Sequence, residues 1–166
     1  AQDALLSAIA ARIDDAEDHI SPEAVESCST RLLPTGSILM VVRGMILARA
    51  FPVAVTTREV TINQDMKALA PSEPALTEWL LLFLRASEPT VLDVVERSSH
   101  GTCKLDTEKL QGLVVPVPPL AEQRRIVARV NDLMALVDRL EADLAAARAT
   151  GEKLMDAVVT ELTVAG

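Results

Sequence analysis

Few side chains in this chain could make or break bonds, and those few are poorly arranged for it. His100, Cys103 and Asp106 fall in one short stretch and include the residue types of a nucleophile, a base and an orienting acid. No metal-ligand spacing, nucleophile context or phosphate loop surrounds them, so the stretch reads as a loop with a buried thiol. Cys28 and Cys103 have neither metal nor redox spacing and are expected to be small buried hydrophobes in a reducing compartment. No cofactor is implied. What remains is recognition chemistry. Arg43 stands beside Gly44, where a sharp turn could present its guanidinium to a phosphate or a guanine edge; a strand-end arginine in water is the plainer alternative. Asn63 and Gln64 carry amides suited to adenine edges, although such amides also satisfy backbone groups. Arg49, Arg58, Lys67, Arg97 and Lys104 are candidate phosphate contacts, which position a protein on a duplex without reading it; each alone is equally a solvated charge.

Charge narrows where such a surface can lie. The net charge of −8 over 166 residues argues against an unspecific polyanion binder. It is uneven. Residues 1–30 hold one Arg against seven acids, residues 31–120 balance nine basic with nine acidic residues, and residues 121–166 hold six against eight. Only the middle segment can assemble a basic face. At the start of the last segment Arg124, Arg125 and Arg129 cluster, a weak hint of an acidic or phosphate-bearing neighbour.

The elements that must position these residues follow from pattern. Ala4 to Ala16 reads as a helix closed by the acidic run Asp14, Asp15, Glu17 and Asp18. Ser21-Pro22-Glu23 has the chemistry of a helix start, with Ser21 as N-cap and the helix running to about Ser27. Leu33-Pro34-Thr35-Gly36 is a turn, and Ser37 to Val42 a buried strand stopped at Arg43-Gly44. Ile46 to Arg49, Val53 to Thr57 and Val60 to Asn63 follow as short strands, and Met66 to Leu69 resumes the apolar pattern. Glu73 to Arg85 is an amphipathic helix around Trp79, and Pro89 opens another to about Ser98. Thr107 to Leu110 is a helical turn and Leu113 to Val117 a last strand. Strands followed by helices predict an α+β fold, a small mixed domain of short elements. No signal-peptide pattern or membrane-length apolar run is present, so the sequence reads as cytoplasmic.

One long helix follows. After Pro118 and Pro119, apolar positions fall at Ile126, Val130, Leu133, Val137, Leu140, Leu144, Ala147, Gly151, Leu154 and Val158, in steps that alternate four and three. That is a coiled-coil seam, flanked by Val127, Met134, Leu136 and Met155. At about 1.5 Å per residue it reaches on the order of 60 Å, too long to bury its own stripe, so it requires a partner helix. Ala147 and Gly151 leave its middle thin.

Taken in order, these segments resemble the specificity (S) subunit of type I restriction–modification systems. The resemblance rests on Leu33-Pro34-Thr35-Gly36-Ser37-Ile38-Leu39-Met40, Arg43-Gly44, Asn63-Gln64-Asp65 and Gly101-Thr102. Its most specific part is Pro116-Val117-Pro118-Pro119-Leu120-Ala121-Glu122-Gln123 running into Arg125-Ile126-Val127. It extends from about Ile20 to Leu162. The resemblance implies a target-recognition domain over residues 1–117, without the opening strands expected upstream of Ile20, and a helix for dimerisation and subunit assembly over 118–166. It implies double-stranded DNA, a methyltransferase (M) subunit and a restriction (R) subunit as partners. The helix would pair antiparallel with a second copy or another S half, through Ile126, Val130, Leu133, Val137, Leu140, Leu144, Leu154 and Val158. A half-length subunit or a fragment of a longer one fits this pattern. The resemblance implies no catalysis by the chain itself: it would read one half of a bipartite DNA target and scaffold the other subunits. The alternative is a truncated S chain that acts only as a coiled-coil assembly module without binding DNA.

Overall fold

In the computed structural model, residues 12–16, 19–28, 30–98 and 101–164 are described. The centre of the structure is β2 (Ile38–Val41), buried along its whole length. It pairs antiparallel with β3 (Val53–Thr56), which is equally buried, and with the edge strand β4 (Met66–Leu69), whose exposure alternates along its length. A two-residue β1 (Arg12–Ile13) adds to the far side of β3 in parallel, so the strand order is β1-β3-β2-β4. The register sets Ile38 against Val55 and Met40 against Val53, which puts four apolar side chains on one face.

That face packs against α2 (Thr77–Ala86) and α3 (Glu88–Leu92). Leu81, Leu84 and Val91 join Ile38, Met40, Val53 and Val55 in one core with Ile46, Leu47, Phe51, Cys103 and Leu105. Aliphatic side chains therefore carry the packing, as a chain with one Trp and two Phe must arrange. A small antiparallel hairpin, β5 (Glu96–Arg97) and β6 (Cys103–Lys104), and a single turn α4 (Thr107–Gln111) lead to α5 (Leu120–Val164). α1 (Pro22–Ser27) begins as its sequence predicts, with the Ser21 hydroxyl accepting from the Ala24 amide at 3.2 Å.

Six local expectations are revised. Of the helix expected over Ala4 to Ala16, residues 1–11 lie outside the described residues; Arg12 and Ile13 form β1 instead, so a strand does precede Ile20. Ile46 to Arg49 is not a strand: Gly44 turns the chain at φ 136°, and Met45–Ala48 closes a 3-10 turn that buries the adjacent Ile46 and Leu47. Val60 makes only an isolated pair with Leu33 and starts no strand to Asn63. The helix opened near Pro89 ends at Leu92, and Glu96–Arg97 joins the hairpin. Leu113 to Val117 forms no strand, since Pro116 has no N–H to give a ladder. Cys103 is buried as expected, but Cys28 is exposed.

The chain divides into two compact units, residues 1–127 and 128–166. The second consists of the later part of α5. No helix among the described residues is long and apolar enough to cross a membrane.

Candidate nucleic-acid interface

Beyond Val41 the centre strand runs on into a corner where three segments meet. The amides of Val42 and Arg43 both donate to the Asp65 carbonyl, at 2.8 and 3.1 Å. Two residues against one is the pattern of a β-bulge, which turns the following side chain away from the regular pleat. On its other side the same segment pairs with the hairpin: the Gly44 amide donates to Cys103 O at 3.0 Å and the Leu105 amide to Val42 O at 2.8 Å, so Arg43 faces Lys104 across an antiparallel bridge. The Arg43 guanidinium is about half exposed and stands 3.8 Å from the Asp65 carboxylate.

The corner gathers most of the sequence-predicted polar residues. Asn63 and Gln64 are exposed on the turn that carries Asp65, and the Asn63 amide oxygen accepts from the Asp65 N–H at 3.0 Å, which fixes that turn. Its oxygen thus has a backbone duty of the kind weighed for it; Gln64 extends from the same turn into solvent. Arg97 and Lys104 belong to the hairpin, where Arg97 pairs with Cys103 and Lys104 with Glu96. Lys67 projects from the edge strand opposite Met40, three residues before Arg43. Lys104 also meets Asp106 at 2.5 Å, and that hydrogen bond holds the Asp106 carboxyl below the usual range. Arg49 is exposed and follows the 3-10 turn that leaves the corner.

Arg58 is placed elsewhere. Because β2 and β3 run antiparallel, the end of β3 that leads to Arg58 lies beside the start of β2, whereas Arg43 follows its finish. Its Nη1 donates to the Asp14 carbonyl at 3.1 Å and stands 3.7 Å from the Asp15 carboxylate. It lines a groove of about 650 Å³ that also presents Asp15, Glu26 and Glu59. This surroundings would repel a phosphate backbone.

Two residues not counted among the candidate contacts also shape the corner. Met45 is 63% exposed and lies under the hairpin end, its Sδ and Cε 3.9 Å from where a Cβ on Gly101 would stand. Asp65 supplies both the bulge carbonyl and the carboxylate beside Arg43; its place next to Asn63-Gln64 was the only signal. His100 lies outside the described residues. Among the described residues no group of His, Cys, Asp and Glu could hold a metal ion.

The start of α5 is fastened by side chains. The Pro119 carbonyl accepts the Glu122 and Gln123 amides at 2.8 and 3.0 Å, and the Gln123 side-chain amide donates to Pro118 O at 2.7 Å. Glu122 grips Arg125 through two bonds of 2.6 and 2.8 Å, which lower the carboxyl's pKa and raise the guanidinium's. Along the seam Ile126 and Val130 are half-buried, while Leu133, Val137, Leu140, Leu144 and Leu154 are 41–66% exposed. Val158 belongs to the helix, its side chain lying outside the described residues.

Comparison with known proteins decides what this arrangement belongs to. Residues 8–147 match the model of the type I restriction modification DNA specificity domain. The chain belongs to that specificity family. The match opens ahead of Ile20, takes in all eight polar candidates and reaches Ala147 in α5. The specificity subunit of the type I restriction enzyme EcoR124I/EcoR124II of Escherichia coli is 33% identical over 132 residues, 80% of this chain and 33% of the relative. The MjaIX specificity subunit of Methanocaldococcus jannaschii is 28% identical over 128 residues, 76% of this chain and 28% of the relative. A solved HsdS subunit from Thermoanaerobacter tengcongensis superposes with a TM-score of 0.54 at 28% identity, over 69% of this chain and 26% of that one. The chain thus spans about a third of the length of the curated relatives it matches. The mixed α+β fold with one long helix agrees with the solved relative.

Proposed function

We propose that this chain reads one half of a bipartite double-stranded DNA target and carries no reaction of its own. In this reading residues 1–117 form the recognition domain, and residues 118–166 form the helix on which methyltransferase and restriction subunits assemble. The observation that carries it is the convergence of the bulged strand end, the Asn63-Gln64-Asp65 turn and the β5–β6 hairpin on one corner. Arg43 is the side chain re-aimed by the bulge and takes the base-reading role, with a guanine edge as its natural partner. Gln64 supplies a free-standing amide, and Lys67, Arg97 and Lys104 supply phosphate contacts that set register. The exposed seam of α5 pairs with a second helix.

The test is duplex binding by the chain assembled with a methyltransferase subunit, titrated against salt. Target duplex is bound far more tightly than random duplex, and log affinity falls linearly with log salt. Equal affinity for both duplexes overturns the reading and leaves the chain as an assembly module only.

A further inference from the structure

We infer that Met45 reads the C5-methyl of a thymine in the half-site, close to the base that Arg43 reads. The inference deepens the reading above and rests on it. It starts from an exposure that the fold does not need. In the 3-10 turn Met45–Ala48, Ile46 and Leu47 are 7% and 2% exposed, whereas Met45 is 63% exposed. The two buried neighbours pin the turn to the core, so Met45 is held outside it at a fixed place. Gly44 joins Met45 to Arg43, and its amide ties the join to Cys103 O of the hairpin at 3.0 Å. The hairpin end does not cover the side chain. A Cβ on Gly101 would stand 3.9 Å from the Met45 Sδ and Cε, in ordinary contact, but glycine leaves the thioether bare.

The surroundings say what such a side chain can meet. Arg43 and Lys104 face each other across the bridge that precedes it, and Arg97 is the pair of Cys103 in the same hairpin. A polarizable apolar group beside these cations gains nothing from a phosphate, which the cations themselves take. On the edges of the four unmodified bases the one methyl group is that of thymine, and it stands in the major groove. That is the groove in which Arg43 finds a guanine edge. Spacing agrees. Two residues of extended chain span at most about 7 Å and base pairs repeat every ~3.4 Å, so with side-chain reach the thymine lies within about three base pairs of that guanine. Arg43, Asn63 and Gln64 distinguish donors from acceptors. Met45 adds a kind of discrimination that they lack.

The experiment uses the chain assembled with a methyltransferase subunit and its target duplex, with uracil replacing thymine at one position at a time. Uracil pairs as thymine does and lacks only the methyl. Fluorescence anisotropy compares the wild type with Met45→Ala and Met45→Leu, and circular dichroism checks that both variants at this exposed site keep the fold. One uracil is expected to weaken wild-type binding about fourfold, the worth of one buried methyl. It lies within about three base pairs of any position that Arg43→Ala makes degenerate. Met45→Ala loses at least as much on the thymine duplex and is indifferent to that uracil, while Met45→Leu keeps part of the sensitivity. Random-duplex affinity and the salt slope stay unchanged in both variants, since no phosphate contact is lost. The methyl contact is overturned if no uracil weakens the wild type, or if Met45→Ala remains as sensitive to it. An equal loss on target and random duplex also overturns it, by making Met45 a wedge or a prop for the turn. Failure of the underlying reading looks different: the wild type then binds target and random duplex alike before any uracil is introduced, and the methyl contact falls with it.

Discussion

The indole N–H of Trp79 donates to the carbonyl of Pro116 across 2.8 Å, from the first turn of α2 to the proline-rich segment that enters α5. Prolines give no N–H but keep their carbonyls, and here side chains take two of them: Trp79 holds Pro116, and Gln123 holds Pro118. The segment is thereby fixed without belonging to any sheet.

Trp79→Phe removes the donor and keeps most of the ring. The expected loss is about 1–2 kcal/mol of stability, from the missing hydrogen bond and the smaller ring in a nearly buried site. Urea unfolding followed by circular dichroism measures it, since the chain has only one tryptophan and the variant has no intrinsic indole signal. An unchanged midpoint would mean that water replaces the indole at no cost, and that the bond does not fasten the segment.

A second prediction concerns the corner. Gly44 has φ 136° and ψ 164°, a conformation that side chains other than glycine's rarely adopt, yet nothing lies within 4 Å of a Cβ placed there. The cost of Gly44→Ala is therefore backbone strain alone, about 1–3 kcal/mol. Relief of that strain would shift the turn joining Arg43 to the buried Ile46 and Leu47, so DNA affinity of the methyltransferase complex should fall along with stability. If stability drops by that amount while affinity holds, the turn does not position Arg43.

Much of this corner was legible in sequence, but only in pieces. Ser37 to Val42 announces a buried strand by composition, and Arg43-Gly44 announces its end; both are where expected. The bulge is invisible because it depends on which carbonyl two successive amides share, and Asp65 lies more than twenty residues away. Ile46 to Arg49 misled for a related reason. Its apolar run suits a strand, but the positive φ at Gly44 starts an i-to-i+3 turn instead, and burial falls on neighbours rather than alternates. In Leu113 to Val117 apolar composition outweighed the prolines, which the physics of laddering should have ranked first. The seam of α5 needed no tertiary information, because helical periodicity is a property of the chain alone. Residue type could not separate Arg43 from Arg58, since only strand register puts them at opposite ends of the sheet.

That separation gives the sharpest test of the interface. Arg43→Ala should weaken target binding by the methyltransferase complex about tenfold or more, within the range of about 1–3 kcal/mol for a lost base contact. If Arg43 touches a base, the loss is confined to the target duplex and one position of the site becomes degenerate. If it touches a phosphate, target and random duplex weaken alike and the salt slope falls by about one. Arg58→Ala should leave affinity within about twofold, because its guanidinium is committed to Asp14 and Asp15 beside an acidic groove. Fluorescence anisotropy on labelled duplex at two salt concentrations resolves all three patterns. Equal losses from the two variants would mean that the interface spans the sheet from end to end, and the corner would lose its special standing.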